Sequence, residues 1–453
     1  MPSAPLIAYG RWLADAPADW PDAAIDGARR AFVDIVGVAV RGAVEDAPRR
    51  AFETVRAWGE GGSAVVGMAA RLAPPWAALV NGTSAHALDF DDNFEPARAH
   101  ATAVLAPAIL ALAETEGRSG RDCLDAYIAG LQVLGLVGEA MNPSHRLRGW
   151  HATSTLGAIG AAAAGARLLR LDAARSSHAL SIATSMAGGF MSQFGTMTKP
   201  LHAGLAASAG VMAASLARGG VSAGARTLDG PHSLAGLMSE DGAFETRPPG
   251  ERLFILSHGL KAKRYPNCAS AHRAMDALLG LIEAHNLSRA EVREVVVRAP
   301  ASQFANLMYA DPRDPLQAKF SLEFALALLL VDGGCDLAHF AEQQVMREDI
   351  RALYPRIRRV PEERGGALFA TVELLLADGG RVGATVIDPV GSRAKPLGLD
   401  DLVRKFDLCV AGLLSPDRAA GLRDVLERLP DLPDVAPLAD ALVSRVPAAP
   451  VAG

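Results

Sequence analysis

The sequence predicts a mainly α-helical protein in two domains, a large all-helical one and a smaller α+β one. Three observations carry this expectation. Half of the 453 residues are hydrophobic but only 5% are aromatic, so the core must be built from Ala, Leu, Val and Gly, which suit closely packed helices. Long stretches place apolar residues three and four apart. Convincing strand texture appears only beyond residue 260, in REVVVRAP at 293–300 and in ALFATVELLLADGGRVGATVI at 367–387.

In order along the chain, residues 21–39 set Ile25, Ala28, Phe32, Ile35, Val36 and Ala39 on one helical face, with Asp19 as the expected cap. A helix over 49–58 and a short extended excursion over 61–67 follow. Pro74 and Pro75 open a helix that ends in the segment HALDF at 86–90, and the next helix is expected to open near Ala99. Its N–H groups and positive end would then face Asp89, Asp91, Asp92 and His100, a junction suited to an anionic substrate. Helices are predicted over 106–116 and 119–141, the second capped by Ser119 and Asp122, then over 155–171, 172–186 and 201–218. Lys199 begins the last of these. A lysine facing inward there opposes the helix dipole, which points to an anion held by both; an exposed lysine is the plain alternative.

Helices over 318–331 and 336–352 and a hairpin at Asp378-Gly379-Gly380 complete the second domain. Helical pattern returns at 397, through 429 and again over 435–446, and the Ala/Pro-rich end at 447–453 is expected to fray. The predicted division is 1–258 for the first part of the helical domain, 259–396 for the α+β domain, and 397–453 for a return to the helical domain.

Lys and Arg number 45 against 50 Asp and Glu, a formal charge of -5, with no long basic run; a nucleic-acid surface is unsupported and no nucleic-acid partner is expected. Cys123, Cys268, Cys335 and Cys409 lie far apart without a CxxC pair, which argues against a zinc ribbon or an iron–sulfur motif. The first residues lack a basic segment followed by an apolar one, and no uncharged apolar stretch reaches the roughly 18 residues of a membrane span. A cytoplasmic protein with a small-molecule partner and no membrane is expected. GAIGAAAAG at 157–165 lies inside a helical pattern with no strand before it and reads as packing, not a dinucleotide loop. P-loop, HExxH and GxSxG motifs are absent. His86 and Asp89 stand three apart like metal ligands but lack partners, so no metal is expected.

Five residues are polar in small, apolar surroundings: Asp89, His100, His151, Lys199 and His272. Singly, each has a bland explanation, a satisfied interior histidine or a helix cap. Asp91 and Asp92 read as a solvated corner, and His145, His178, His232, His258, His285 and His339 as structural or surface residues. As a set the five suit chemistry on a di- or tricarboxylate. Cationic groups hold carboxylates while one neutral imidazole removes a proton α to a carbonyl or carboxyl carbon.

Six blocks in order, NGTSAHALDFDD, HATAVLAPAILALAE, GWHATSTLGAIGAAAAGARLL, KPLHAGLAASAGVMAASLA, KRYPNCASAHRAMDA and AKFSLEFALALLLVDGG, span 81–334, and through them the sequence resembles the MmgE/PrpD family. That family includes 2-methylcitrate dehydratase, cis-aconitate decarboxylase and iminodisuccinate epimerase. The resemblance implies a helical domain built from both ends of the chain, an α+β lid domain, a homodimer, and catalysis without cofactor or metal. It places the family's active-site carboxylate on Asp89, its histidines on His100, His151 and His272, and its lysine on Lys199, with Asn93, His202 and Arg264 beside them for holding substrate.

The sequence departs from the decarboxylase branch in four respects: Asn93 where that branch has threonine, a spacing from DFDD to the histidine that is one residue longer, Ala101 where proline is usual, and Phe324 in place of a tyrosine. The missing hydroxyl argues against cis-aconitate decarboxylation. The expected activity is therefore a 2-methylcitrate dehydratase-like lyase. In it His151 or His100 abstracts the α proton, Lys199 and His272 bind carboxylates and help the hydroxyl leave, and Asp89 orients a histidine. An epimerase, a decarboxylase and a catalytically dead carboxylate-binding protein are the alternatives.

Overall fold

The computed structural model describes residues 4–240, 242, 244–245 and 247–443. The end expected to fray, 447–453, and the last residues of the helix expected over 435–446 lie outside these. The chain is 56% helical and 9% strand, which makes the mainly α class a finding. It divides into two compact units, one of Met1–Ser192, Met197–Lys261 and Gly398–Gly453, the other of Gln193–Thr196 and Ala262–Leu397.

The first unit begins with α1 (Pro5–Asp15), α2 (Asp22–Gly42) and α3 (Asp46–Val55). Pro21, not Asp19, stands at the start of α2, since its fixed φ holds the extended turn into the helix. The unit is not all helix. β1 (Glu60–Val65) and β2 (Ala70–Leu72) pair antiparallel, and the Asn81 side chain bonds Val66 N and Ala64 C=O at 2.9 and 2.8 Å. The central helices follow: α4 (Pro74–His86), α5 (Thr102–Glu116), α6 (Gly120–Met141), the single turn α7 (Ser144–Leu147), α8 (Ala152–Leu168), α9 (Ala173–Thr184) and α10 (Thr198–Arg218). Ser119 and Asp122 form the expected capping box of α6. Two short helices, α11 (Leu234–Met238) and α12 (Phe254–Ser257), precede the second unit.

Helices α6 and α10 are long and apolar enough by composition to cross a membrane, contrary to the sequence-based expectation. Both are largely buried inside this unit, which accounts for their apolarity. Small residues let α4 and α10 touch backbone to backbone. A Cβ on Gly82 would lie 2.8 Å from Gly204 Cα, and one on Gly204 only 2.1 Å from Leu79 O. This contact carries His86, one turn beyond Gly82, toward Lys199, just over one turn before Gly204.

In the second unit the sheet order is β4-β3-β5-β6, from β3 (Val292–Ala299), β4 (Ile357–Pro361), β5 (Ala370–Leu376) and β6 (Arg381–Val386). β4 runs parallel to β3 and the other pairs are antiparallel. Helix α13 (Ala269–Ala284) packs on β5 and β6, and beside α16 (Leu322–Val331). Short helices α14 (Ala301–Asn306) and α15 (Pro315–Ala318) lie between β3 and α16. The helix expected over 336–352 is broken. A 3-10 turn at Leu337–Phe340 and the single turns α17 (Glu342–Val345) and α18 (Glu348–Arg351) replace it, because Ala341 is extended at ψ 151°.

The chain then re-enters the first unit as α19 (Leu399–Val410), α20 (Pro416–Glu427) and α21 (Ala436–Leu442). Within that unit, α19 packs along α2 and α20 contacts α2 and α21.

Candidate active site

Helix α4 is buried on every side, so the polar residues at its C-terminal end have nowhere to go but inward. His86, Asp89, Asp91 and Asp92 are all buried, which corrects the expectation that Asp91 and Asp92 form a solvated corner. Asp89 takes a left-handed conformation at φ 51°, a region that Asp enters more readily than most residues other than glycine.

Lys199, in the first turn of α10, is buried and donates to both the Asp89 carboxylate and His86 Nε2, the latter at 2.9 Å. The anion expected at this helix start is therefore supplied by the chain itself. Because Lys199 can only donate, His86 Nε2 accepts, and His86 Nδ1–H donates to Asp91 Oδ2 at 2.8 Å. The same Asp91 oxygen stands 3.1 Å from His100 Nδ1, and Asn93 Nδ2 lies 3.3 Å from His100 Nε2. Asp89 is 3.9 Å from His100 Nε2. The carboxylate that orients histidines is thus Asp91, not Asp89 as expected from the sequence, because Lys199 occupies Asp89.

His151 caps α8 from an extended backbone, its N–H bonded to Gly189 C=O at 3.0 Å. Its Nδ1 lies 3.0 Å from His202 Nδ1, and its ring stacks 6.0 Å from that of His86. One of the two facing nitrogens must donate. When His151 donates, its Nε2 carries the lone pair that a base needs. Burial, then the charge of Lys199, holds His151 well below the ordinary histidine value. Burial lowers His86 too, against Asp91, and lowers His202 to about 4. Burial alone would raise Asp91, but His86 and His100 outweigh it and hold the carboxyl well below the usual range. At neutral pH the cluster sets an ionised Asp91 beside the neutral imidazoles of His86, His151 and His202.

The start of α5 turns its first N–H toward Asp92, as expected. Asp92 accepts from Thr102 N at 3.3 Å and from Thr102 Oγ1, whose hydroxyl also meets Tyr127 OH at 2.6 Å. Burial raises Asp92 to about 7. His145, treated as structural or surface from the sequence, is fully buried and lies 2.7 Å from Thr155 Oγ1.

Of the eight expected site residues, Asp89, Asn93, His100, His151, Lys199 and His202 share this one network. His272 and Arg264 belong to the second unit. There His272 is buried in the first turn of α13, with Nε2 3.3 Å from Asn267 C=O and its ring edge-on to Tyr265. Arg264 reaches Asp276 at 3.5 Å. Phe324 is buried against Phe340 in that unit's core, ring centroids 5.5 Å apart.

Sequence reasoning passed over His86 as a hub and Asp91 as its partner. The signal available was that α4 carries no charged residue along its length before His86. As for a metal, donor atoms of His86, Asp89, Asp91 and His100 lie within 4.8 Å of one another, a nitrogen and oxygen set that suits a divalent cation by type. The Lys199 ammonium, bonded to two of the four, competes for that space.

Comparison with known proteins finds the MmgE/PrpD N-terminal domain over residues 10–247 and the MmgE/PrpD C-terminal domain over residues 265–431. The chain belongs to the MmgE/PrpD family. Human cis-aconitate decarboxylase is 32% identical over 403 residues, which cover 83% of this chain and 81% of that protein. The mouse cis-aconitate decarboxylase is 30% identical over 388 residues, covering 80% and 77%, and that of Aspergillus terreus 27% over 413 residues, covering 84% of each. The buried network of α4, α8 and α10 lies wholly within the stretch matched by the family's N-terminal domain.

Proposed function

We propose that this MmgE/PrpD protein is a lyase of a small di- or tricarboxylic acid that works by proton transfer at the carbon α to a carboxylate, with no cofactor. The observation that carries this is His151. Its imidazole is buried, kept neutral, backed by His202 Nδ1 at 3.0 Å and stacked near the lysine–carboxylate pair. A neutral base beside a fixed ammonium suits a substrate whose carboxylate the cation holds while its α proton leaves. Well-placed proton transfer is worth about 10² to 10⁴ in rate.

The finer reading is dehydration of a 2-methylcitrate-like hydroxy acid. His151 Nε2 takes the α proton, the carbon–oxygen bond breaks, and the hydroxyl leaves as water with a proton from a cationic group. Lys199 is the group for carboxylate binding and leaving-group assistance in the first unit, with Asn93 and His202 around the substrate; for His272 and Arg264, in the second unit, a substrate-binding role rests on the family resemblance alone. Decarboxylation of cis-aconitate is the second reading. It is favoured by relatives of that name at 27–32% identity and disfavoured by Phe324 and Asn93. We further propose a cytoplasmic homodimer, and light scattering of the purified chain checks the dimer.

The deciding experiment is proton NMR of the EDTA-treated enzyme in D₂O with 2-methylcitrate, citrate, cis-aconitate, tartrate and iminodisuccinate. Loss of water from one acid supports dehydration. Release of CO₂ with deuterium gained supports decarboxylation and overturns dehydration. Deuterium exchange at the α carbon with no group lost makes the protein an epimerase and overturns the lyase reading, and silence across the panel overturns the substrate class.

A further inference from the structure

We propose that Lys405, far from the site in sequence, is the positioning residue for both carboxylates of the cluster, Asp89 and Asp91; the proposal rests on the function given above. Lys405 stands on α19, the helix with which the chain re-enters the first unit, and is 6% exposed. Its ammonium donates to the Phe90 carbonyl at 2.7 Å, pairs with Asp34 of α2 at 2.7 Å, and sits 4.1 Å over the Phe90 ring. Gly37 sets this up. A Cβ there would lie 2.9 Å from the Phe406 ring, so α2 and α19 approach closely enough for Asp34 to reach Lys405.

The Phe90 carbonyl belongs to the peptide plane that joins Phe90 to Asp91, and Asp89, the residue before, is held at φ 51°. One hydrogen bond therefore fixes the plane between the carboxylate that pairs with Lys199 and the carboxylate shared by His86 and His100. An apolar pair of the same volume would join α2 to α19 without the desolvation cost of two buried charges. It could not supply a donor to that carbonyl, whose burial unbonded is costly. Asp34 faces the Lys405 ammonium from α2, and Lys405 directs a proton donor to the backbone of the loop at 89–92. The link lies between the last 56 residues of the chain and the loop at 89–92, and no motif in the loop announces it.

The test compares Lys405→Met, Lys405→Arg and the double variant Asp34→Asn/Lys405→Met with the wild type, by thermal melting, turnover on the substrate found by NMR, and ¹⁵N-histidine NMR of His86 and His100 against pH. Lys405→Met is expected to stay folded with a lower Tm. Its kcat should fall about tenfold to a hundredfold, the scale of a misplaced reacting geometry, with KM changed far less, and the His86 and His100 titrations should move. Lys405→Arg should recover part of kcat. The double variant removes the uncompensated charge and should regain Tm without regaining kcat. Should the double variant regain both, or Lys405→Met keep wild-type kcat and histidine titrations, the residue is a plain structural ion pair and the proposal is overturned. A wild type silent on every acid overturns the function and leaves the histidine titrations to decide the role of Lys405.

Discussion

Lys199 and Asp89 form a buried ion pair although 110 residues separate them. Removing one partner leaves the other charged and uncompensated inside the protein, a loss of about 3–5 kcal/mol. Lys199→Met is therefore expected to lower the melting temperature strongly and to abolish turnover. The double variant Asp89→Asn/Lys199→Met should recover most of the stability and none of the activity, as calorimetry beside a rate assay would show. Turnover surviving in either variant would mean that the pair is only structural.

Asp91 and Asp92 are adjacent and equally buried, yet their chemistry diverges. Asp91 holds two imidazoles by their Nδ1 atoms, whereas Asp92 is raised to about 7 and bonds a helix start. Asp91→Asn replaces the acceptor for two rings with an amide that can also donate. Its kcat should fall by about tenfold to a hundredfold, a loss of proton-transfer geometry. Asp92→Asn keeps an oxygen for Thr102 and a neutral group where the carboxyl is already half protonated near pH 7, so its turnover should stay near wild type. Equal losses in both would show that the loop, not Asp91, was what mattered.

The contrast between these two neighbours also explains what could be read from the sequence. Helices α2, α6 and α10 followed from apolar periodicity and from Ser119 and Asp122, because those signals are local. The polar residues Asp89, His100, His151 and Lys199 stood out against small apolar neighbours. What was missed depends on contacts between distant segments. Consecutive aspartates look like a surface corner until a helix buried on all sides is known to deliver them inward. His86 looks like half a metal site until Lys199, 113 positions later, is found bonded to it. Strand β4 has the short pattern IRRVP, with two adjacent arginines, and gains its place by pairing with β3.

Stability should depend on pH in a direction fixed by burial. His86, His145, His151 and His202 all have lowered values, with His145 and His202 at about 4. The unfolded chain takes up these protons near 6.5, so the imidazoles leave stability intact above that pH and remove it as the pH falls. Asp92 and Glu114, raised to about 7, act oppositely. The folded chain keeps protons that the unfolded one sheds near 4, so their contribution is lost as the pH rises from about 4 to 7. Four groups against two leave the unfolded chain with the greater proton uptake, so acidification between about pH 5 and 6 is net destabilising. Calorimetry should find a Tm nearly flat above pH 7 and falling below 6.5. The acid limb of kcat/KM should likewise lie below the ordinary histidine value, since the proposed base resists protonation. A Tm that rises on acidification through this range would mean that the imidazoles are charged in the folded state.

The four donors of His86, Asp89, Asp91 and His100 set up a contest between a resident ammonium and an added dication. Lys199 already neutralises Asp89 and saturates His86 Nε2, so a metal must displace it and also take His86 from its tautomer. EDTA is therefore expected to leave turnover unchanged, and added Zn²⁺, which favours imidazole with carboxylate, to inhibit reversibly. Lys199→Met removes the competitor and leaves two carboxylates without a cation, so titration calorimetry should find zinc bound more tightly by that variant than by the wild type. The affinity difference reads directly on whether the ammonium and the metal share one site. If EDTA instead abolished activity and a divalent cation restored it, the dication would be the working occupant, and Lys199 would have to move aside in the active enzyme.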